Sequence, residues 1–236
     1  FSLLNLDYIQ CDSFRVEECK FEQNGGQCIS VNEKRSNIHI YKCTFSNNIG
    51  YDGCAIFVET ASKDYKMIVE DCTFDGNKPK YASSFNTGAV VTYSNGIQFA
   101  GKNTFINNEV HAVQPDTTDE SAKTIGGSLF IIQMDPEEYT ISNLIFTNSY
   151  SEHYGGAIGL FAGDFDNHDH DKKDLFVRIE NCVFTNCTSK EKGGALKCGL
   201  QSESGKHFDN DVILNFCQFI NCKSEEGGAV YFMDGD

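Results

Sequence analysis

The chain has 236 residues, 40% of them hydrophobic and 22% charged, which is ample for one sizeable core. A formal net charge of -15 with only three arginines (Arg15, Arg35, Arg178) argues against a nucleic-acid phosphate backbone as partner. No run approaches 18 apolar residues, so no stretch of this piece reads as a transmembrane helix.

One phrase then recurs from end to end. It consists of an aliphatic pair at alternate positions, two polar residues, a cysteine or apolar residue, one spacer and a phenylalanine. In chain order the copies are Phe14-x-Val16-x-x-Cys19-x-Phe21, Ile38-x-Ile40-x-x-Cys43-x-Phe45 and Met67-x-Val69-x-x-Cys72-x-Phe74. A copy one residue longer starts at Ile97-x-Phe99 and ends at Phe105. Tyr139-x-Ile141-x-x-Leu144-x-Phe146, Val177-x-Ile179-x-x-Cys182-x-Phe184 and Val212-x-Leu214-x-x-Cys217-x-Phe219 complete the series. A second, glycine-rich phrase follows each phenylalanine: Gly25-Gly26-Gln27-Cys28, Gly53-Cys54-Ala55-Ile56, Gly88-Ala89-Val90 and Gly126-Gly127-Ser128-Leu129. Its full form is Gly155-Gly156-Ala157-Ile158, Gly193-Gly194-Ala195-Leu196 and Gly227-Gly228-Ala229-Val230. Successive anchors lie 24, 29, 31, 41, 38 and 35 residues apart. A unit of that length cannot bury a core alone and must stack on its neighbours.

Within Cys-x-Phe, alternation puts both side chains on one face of a strand. The two polar residues before it break the period and read as a corner. Asn47, Asn107, Asn148, Asn186 and Asn221 lie two places after phenylalanine, and Asn24, Asn48, Asn77 and Asn108 lie three after. Asparagine tolerates left-handed backbone and suits a tight turn, and glycine supplies positive φ next. Strand, corner, strand, asparagine turn, glycine turn, strand and return loop make one rung of an all-β, single-stranded, right-handed parallel β-helix. About seven to eight rungs at about 4.8 Å spacing are expected. They stack Phe21, Phe45, Phe74, Phe105, Phe146, Phe184 and Phe219 in one internal ladder, beside a cysteine ladder and an asparagine ladder. The rival sandwich or propeller needs hairpin signals, and Asn95-Gly96 is the main one.

Residues 1–236 read as one β-helix domain, a piece of a longer protein because both ends fall inside the repeat. Extra residues collect at two corners, near 111–124 and 163–174, as insertions on a solenoid do.

Phe21-Glu22-Gln23-Asn24, Phe45-Ser46-Asn47-Asn48, Phe74-Asp75-Gly76-Asn77 and Phe105-Ile106-Asn107-Asn108, paired with the Gly-Gly-Ala-aliphatic phrase, resemble the polymorphic outer membrane protein repeats of chlamydial surface proteins. Similar repeats occur in surface-protein families of some protists, and the barrel-less, cysteine-rich form looks more like these. Three copies depart by ending in Ser149, Cys187 and Cys222. The resemblance implies an extracellular or cell-surface β-helical region, adhesive in some members. Its partner would be a protein or glycan at a cell surface.

Asp164, Asp166, Asn167, His168, Asp169, His170 and Asp171 are the candidate metal ligands. The carboxylates and Asn carbonyl suit Ca²⁺ and the histidines a softer metal. No EF-hand pattern is met, no resident cofactor is otherwise indicated, and the plainer reading is a solvated insertion. Eleven cysteines form the second signal. Cys19, Cys43, Cys72, Cys182 and Cys217 precede an anchor by two and are expected inward, as small buried hydrophobes. Cys187 and Cys222 share a turn position, making them the candidate disulfide if the protein is extracellular. Asn186-Cys187-Thr188 is the one glycosylation sequon.

A polysaccharide-active β-helix enzyme would need clustered carboxylates beside a base on an outer strand face. The outward columns here read Arg15, His39, Ile68, Thr140, Arg178, Ile213 and Glu17, Tyr41, Glu70, Ser142, Glu180, Asn215, without such a cluster. His153 and His207 read as surface residues. The expectation is a non-catalytic scaffold recognising partners through its insertions. The alternative is a structural module that self-associates through the β-helix ends into a filament or coat.

Overall fold

A computed structural model describes residues 2–6, 11–32, 36–59, 66–79, 86–93, 96–112, 123–133, 138–162, 175–199 and 210–232. Regular structure among them is entirely β, and the strand pairs are parallel. Each turn of chain feeds three sheets. The aliphatic halves, from Ser13–Glu17 to Asn210–Asn215, form one wall. The phenylalanine halves, from Lys20–Glu22 to Gln218–Ile220, form a seven-stranded sheet. The strands beside the glycine phrase, from Ser2–Asn5 to Val230–Phe232, form an eight-stranded sheet. This is the parallel β-helix that the repeat predicts.

The anchors file in a single row, with Phe21 facing Phe45, Phe45 facing Phe74, and so on to Phe184 facing Phe219. Consecutive rings stack with centroids 4.6 to 5.0 Å apart and planes within 15°. Phe45, Phe74, Phe105, Phe146 and Phe184 are fully buried, so the row is the spine of the core.

Each corner is made by one residue in left-handed backbone. Between the aliphatic and phenylalanine strands it is Glu18, Lys42, Asp71, Gly101, Asn143, Asn181 or Phe216, with φ between 51° and 60°. After phenylalanine it is Gln23, Asn47, Gly76, Asn107, Asn148, Asn186 or Asn221. At the glycine phrase Gly155 has φ +55°, and a Cβ on Gly156 would lie 2.2 Å from the Gly194 carbonyl oxygen. The first glycine answers to conformation and the second to rung spacing.

The expected single asparagine ladder is two. Inside, the Asn24 amide donates to Asn48 Oδ1 (2.9 Å), Asn48 to Asn77 Oδ1 (2.8 Å) and Asn77 to Asn108 Oδ1 (3.1 Å). The same amides donate to the carbonyls of Phe21, Phe45 and Phe74, for Asn48, Asn77 and Asn108 respectively. Outside, Asn186 donates to Asn148 (3.1 Å) and Asn148 to Asn107 (3.0 Å), all at left-handed corners and exposed. An amide both donates and accepts, so it can stack on its own kind without leaving a polar atom unpaired.

The longer copy is absorbed locally. Gly101 takes the corner, and Asn103 occupies the column position that cysteine holds in most rungs. It is buried, donates to the carbonyls of Ala100 (2.9 Å) and Val69 (3.1 Å), and accepts from the Cys72 N–H (2.9 Å). The aliphatic wall breaks here into a four-stranded and a three-stranded sheet. The Tyr139 hydroxyl spans the break by donating to the Ile97 carbonyl at 2.5 Å.

The cysteine column needs one correction. Cys43, Cys72 and Cys182 are buried, but Cys217 is half-buried and Cys19 exposed. Cys19 and Cys217 immediately precede Lys20–Glu22 and Gln218–Ile220, the two edge strands of the phenylalanine sheet, where one side of the column has no described rung over it.

Asn77→Ala should lower stability by about 3 kcal/mol in urea unfolding, since it strands buried donors and acceptors on both neighbours. Asn148→Gly, on the exposed ladder, should cost less than about 1 kcal/mol. Equal losses would contradict the division of labour between the ladders.

Candidate functional site

The outer face of the aliphatic wall carries the expected columns in register, Arg15 beside His39 beside Ile68, and Thr140 beside Arg178 beside Ile213. Arg15, His39 and Arg178 are each engaged by a nearby carboxylate. Arg15 pairs with Glu17, His39 Nε2 lies 2.8 Å from Glu70, and Arg178 lies 2.5 Å from Glu138 and 3.7 Å from Glu180. A shallow groove of about 570 Å³ runs along Ser13, Arg15, Asn37, Ile38, His39, Lys66 and Ile68.

The most connected polar cluster stands where the first insertion leaves and rejoins the solenoid. On the leaving side, His111 Nε2 is 3.1 Å from Glu109 and its Nδ1 is 3.3 Å from Glu152. Lys78 pairs with Glu109 at 3.0 Å, the Tyr150 hydroxyl donates to Glu152 at 3.1 Å, and Lys190 pairs with Glu152. These residues come from neighbouring rungs because Glu109 faces Tyr150 and Tyr150 faces Thr188 in the short sheet beyond the asparagine turn. On the rejoining side, Lys123 donates to Glu191 at 2.6 Å. The Thr124 N–H donates to His153 Nδ1 at 3.0 Å, and the His153 N–H donates to Thr124 Oγ1 at 2.9 Å. With Nδ1 accepting, the ring proton falls to Nε2, 3.9 Å from Glu191.

His153 is only 1% exposed, which overturns its reading as a surface residue. It follows the alternation of Ser151 and His153 inward from the short strand, a signal too brief to read without the fold. Glu152, 6% exposed, carries no signal in the repeat, because His111 and Lys190 reach it from neighbouring rungs.

The electrostatics follow from this packing. Burial opposes ionisation of Glu152, but hydrogen bonds from Lys190, Tyr150 and His111 outweigh it and hold the carboxyl below its ordinary value. Glu109 is lowered in the same way, burial being outweighed by Lys78 and His111. Burial, then the Glu152 charge, push the Tyr150 hydroxyl up to about 12.

A second apolar cluster lies on the outward side of the glycine-phrase sheet: Val91, Ile125, Phe130, Ile132, Tyr154 and Phe161, with Phe57 against it. Lys197, 2% exposed, sets its ammonium 4.8 Å from the Tyr154 ring centre and 4.5 Å from that of Phe161. Its amino group also donates to the Gly199 carbonyl at 2.7 Å. The aromatic faces and the carbonyl offset the loss of water around the cation.

Asp164, Asp166, Asn167, His168, Asp169, His170 and Asp171 lie outside the described residues, as do His207 and most of 111–124. Among the described residues no group of three or more His, Cys, Asp or Glu side chains gathers to hold a metal. Cys187 and Cys222 are adjacent free thiols. Asn186 is exposed at a left-handed corner, with its amide nitrogen held by Asn148.

Parallel three-walled coiling with internal ladders defines a β-helix solenoid. A family model described as right handed beta helix region matches residues 6–126, just over half of the chain. The chain belongs to the right-handed β-helix family. Comparison with curated proteins and with solved structures gives no match.

Glu109 and Glu152 set an acid limit on stability. Each binds its proton more weakly folded than unfolded, so their contribution is complete above the ordinary value of 4.5 and is lost as pH falls through the lowered folded value. The melting midpoint should therefore fall between about pH 6 and pH 3. Glu152→Gln should flatten that slope, and an unchanged slope would remove Glu152 from the account.

Proposed function

We propose that this chain is a non-catalytic β-helical scaffold at a cell surface or outside the cell, and that it recognises a protein or glycan through its insertions. The reading agrees with the resemblance to polymorphic outer membrane protein repeats in their barrel-less, cysteine-rich form. The observation that carries it is the footing of the 111–124 insertion. Both stems are fixed by ion pairs and buried hydrogen bonds reaching across several rungs. A loop on a fixed base loses less freedom on binding, which favours affinity. A non-catalytic role is supported by the outer wall, where Glu17, Glu70, Glu138 and Glu180 pair with neighbouring cations or a histidine instead of facing one another.

Replacing residues 112–122 by a short Gly-Ser linker should abolish attachment to the recognised cell or glycan array while leaving the β-sheet circular dichroism intact. Undiminished attachment would refute recognition through this insertion. Depolymerisation of any member of a neutral and acidic polysaccharide panel would refute the non-catalytic reading.

Self-association is the second reading, favoured by apolar side chains at the first and last described rungs: Leu3 is 63% exposed, Phe216 87% and Phe232 49%. Light scattering decides it, since a mass independent of concentration would set assembly aside.

A further inference from the structure

Four cysteines meet at one rung interface. Cys182 and Cys217 stand two places before Phe184 and Phe219, and Cys187 and Cys222 stand three places after them. The backbone holds both pairs opposite each other: the Gln218 N–H donates to the Cys182 carbonyl at 2.9 Å and the Lys223 N–H to the Cys187 carbonyl at 3.0 Å. Within each pair the two thiols lie close enough to perturb one another's ionisation, while each donates to backbone carbonyls of its own and the preceding rung. Facing residues on neighbouring parallel strands lie about 4.8 Å apart, inside the window of about 4.4 to 6.8 Å between the Cα atoms of bridged cysteines. In the preceding rung the same positions are Leu144 and Ser149, so on that side neither buried sulfur has a second cysteine to choose. The N-terminal column differs, because Cys19, Cys43 and Cys72 follow one another and bridging any two leaves a third thiol.

Burial divides each pair in the same sense. Cys182 and Cys187 are fully buried, whereas Cys217 and Cys222 are half-buried and can be reached from solvent. The neighbouring buried thiol lowers Cys217 and Cys222 to about 7, while Cys182 and Cys187 are raised by that same neighbour and by burial. The reachable sulfur is thus the better nucleophile and the buried one is placed to resolve.

We infer that Cys182–Cys217 and Cys187–Cys222 form a twin cross-linking site, each pair closing into a rung-to-rung disulfide with a low-molecular-weight disulfide such as oxidised glutathione. The Cys217 thiolate attacks one sulfur of the oxidant, whose S–S bond breaks and releases one glutathione thiolate. Cys182 gives up its proton and attacks Cys217 Sγ, displacing the second glutathione. The protein loses two protons and two electrons, and the oxidant leaves as two thiols. Cys222 and Cys187 follow the same course. Directly facing strands hold Cβ atoms farther apart than a relaxed bridge prefers, so both links are reducible. They act as reversible staples on either side of the Phe184–Phe219 stack. The inference is independent of the recognition role proposed above.

The test incubates the whole chain with oxidised glutathione, blocks free thiols and maps peptides without reduction. The expected products are Cys182–Cys217 and Cys187–Cys222 cross-linked peptides, each short of two hydrogens, reversed by dithiothreitol. A higher melting midpoint should accompany oxidation. In Cys217→Ser, the Cys187–Cys222 link should still form while Cys182 stays alkylatable. Crossed links, stable glutathione adducts on Cys217 and Cys222 without internal bridges, or four thiols still free would each overturn the inference.

Discussion

Every part of this molecule answers to one constraint: a residue must tolerate its own counterpart directly above and below at strand spacing. Phenylalanine meets it through face-to-face stacking, with six consecutive ring pairs nearly parallel. Asparagine meets it because one amide donates up the column while accepting from below. Glycine meets it where backbones touch. Charge does not meet it, since like charges facing each other repel. The corner column accordingly reads Glu18, Lys42, Asp71, and one wall column sets the neutral Tyr41 between Glu17 and Glu70.

The same constraint decides what the sequence could reveal. Residues that repeat are legible, so the phenylalanine row, the corners and the outward columns all fall where the spacing puts them. Residues that act at exceptions are not. Asn103 reads as a mismatch to the cysteine column until its amide is seen closing the longer corner. Asn47 and Asn48 stand side by side in the chain, yet one turns outward and the other inward, which needs the left-handed φ at the first to be known. His153 and Glu152 belong to no ladder. Apart from Tyr150, their partners lie 29 to 41 residues away, and only the stacking of unequal rungs brings these together.

Regularity and individuality are therefore separated in space. The phenylalanine and asparagine columns of the interior satisfy one another rung upon rung. Chemistry that differs from rung to rung appears where the repeat is interrupted, at the stems of the 111–124 insertion and on the outward aromatic cluster around Lys197. A scaffold built this way can change what it presents without disturbing what holds it together.

The interruption at Asn103 reaches beyond its own corner. Between Gln98–Ala100 and Tyr139–Ser142 one wall loses its ladder, while the other two walls continue from Asn103–Ile106 to Leu144–Thr147 and from Val90–Tyr93 to Leu129–Gln133. A girder with one flange cut and the other two whole bends at the cut. Among the described residues the Tyr139 hydroxyl is a side-chain tether across the gap, which makes that level the place where bending of the rod is expected to concentrate.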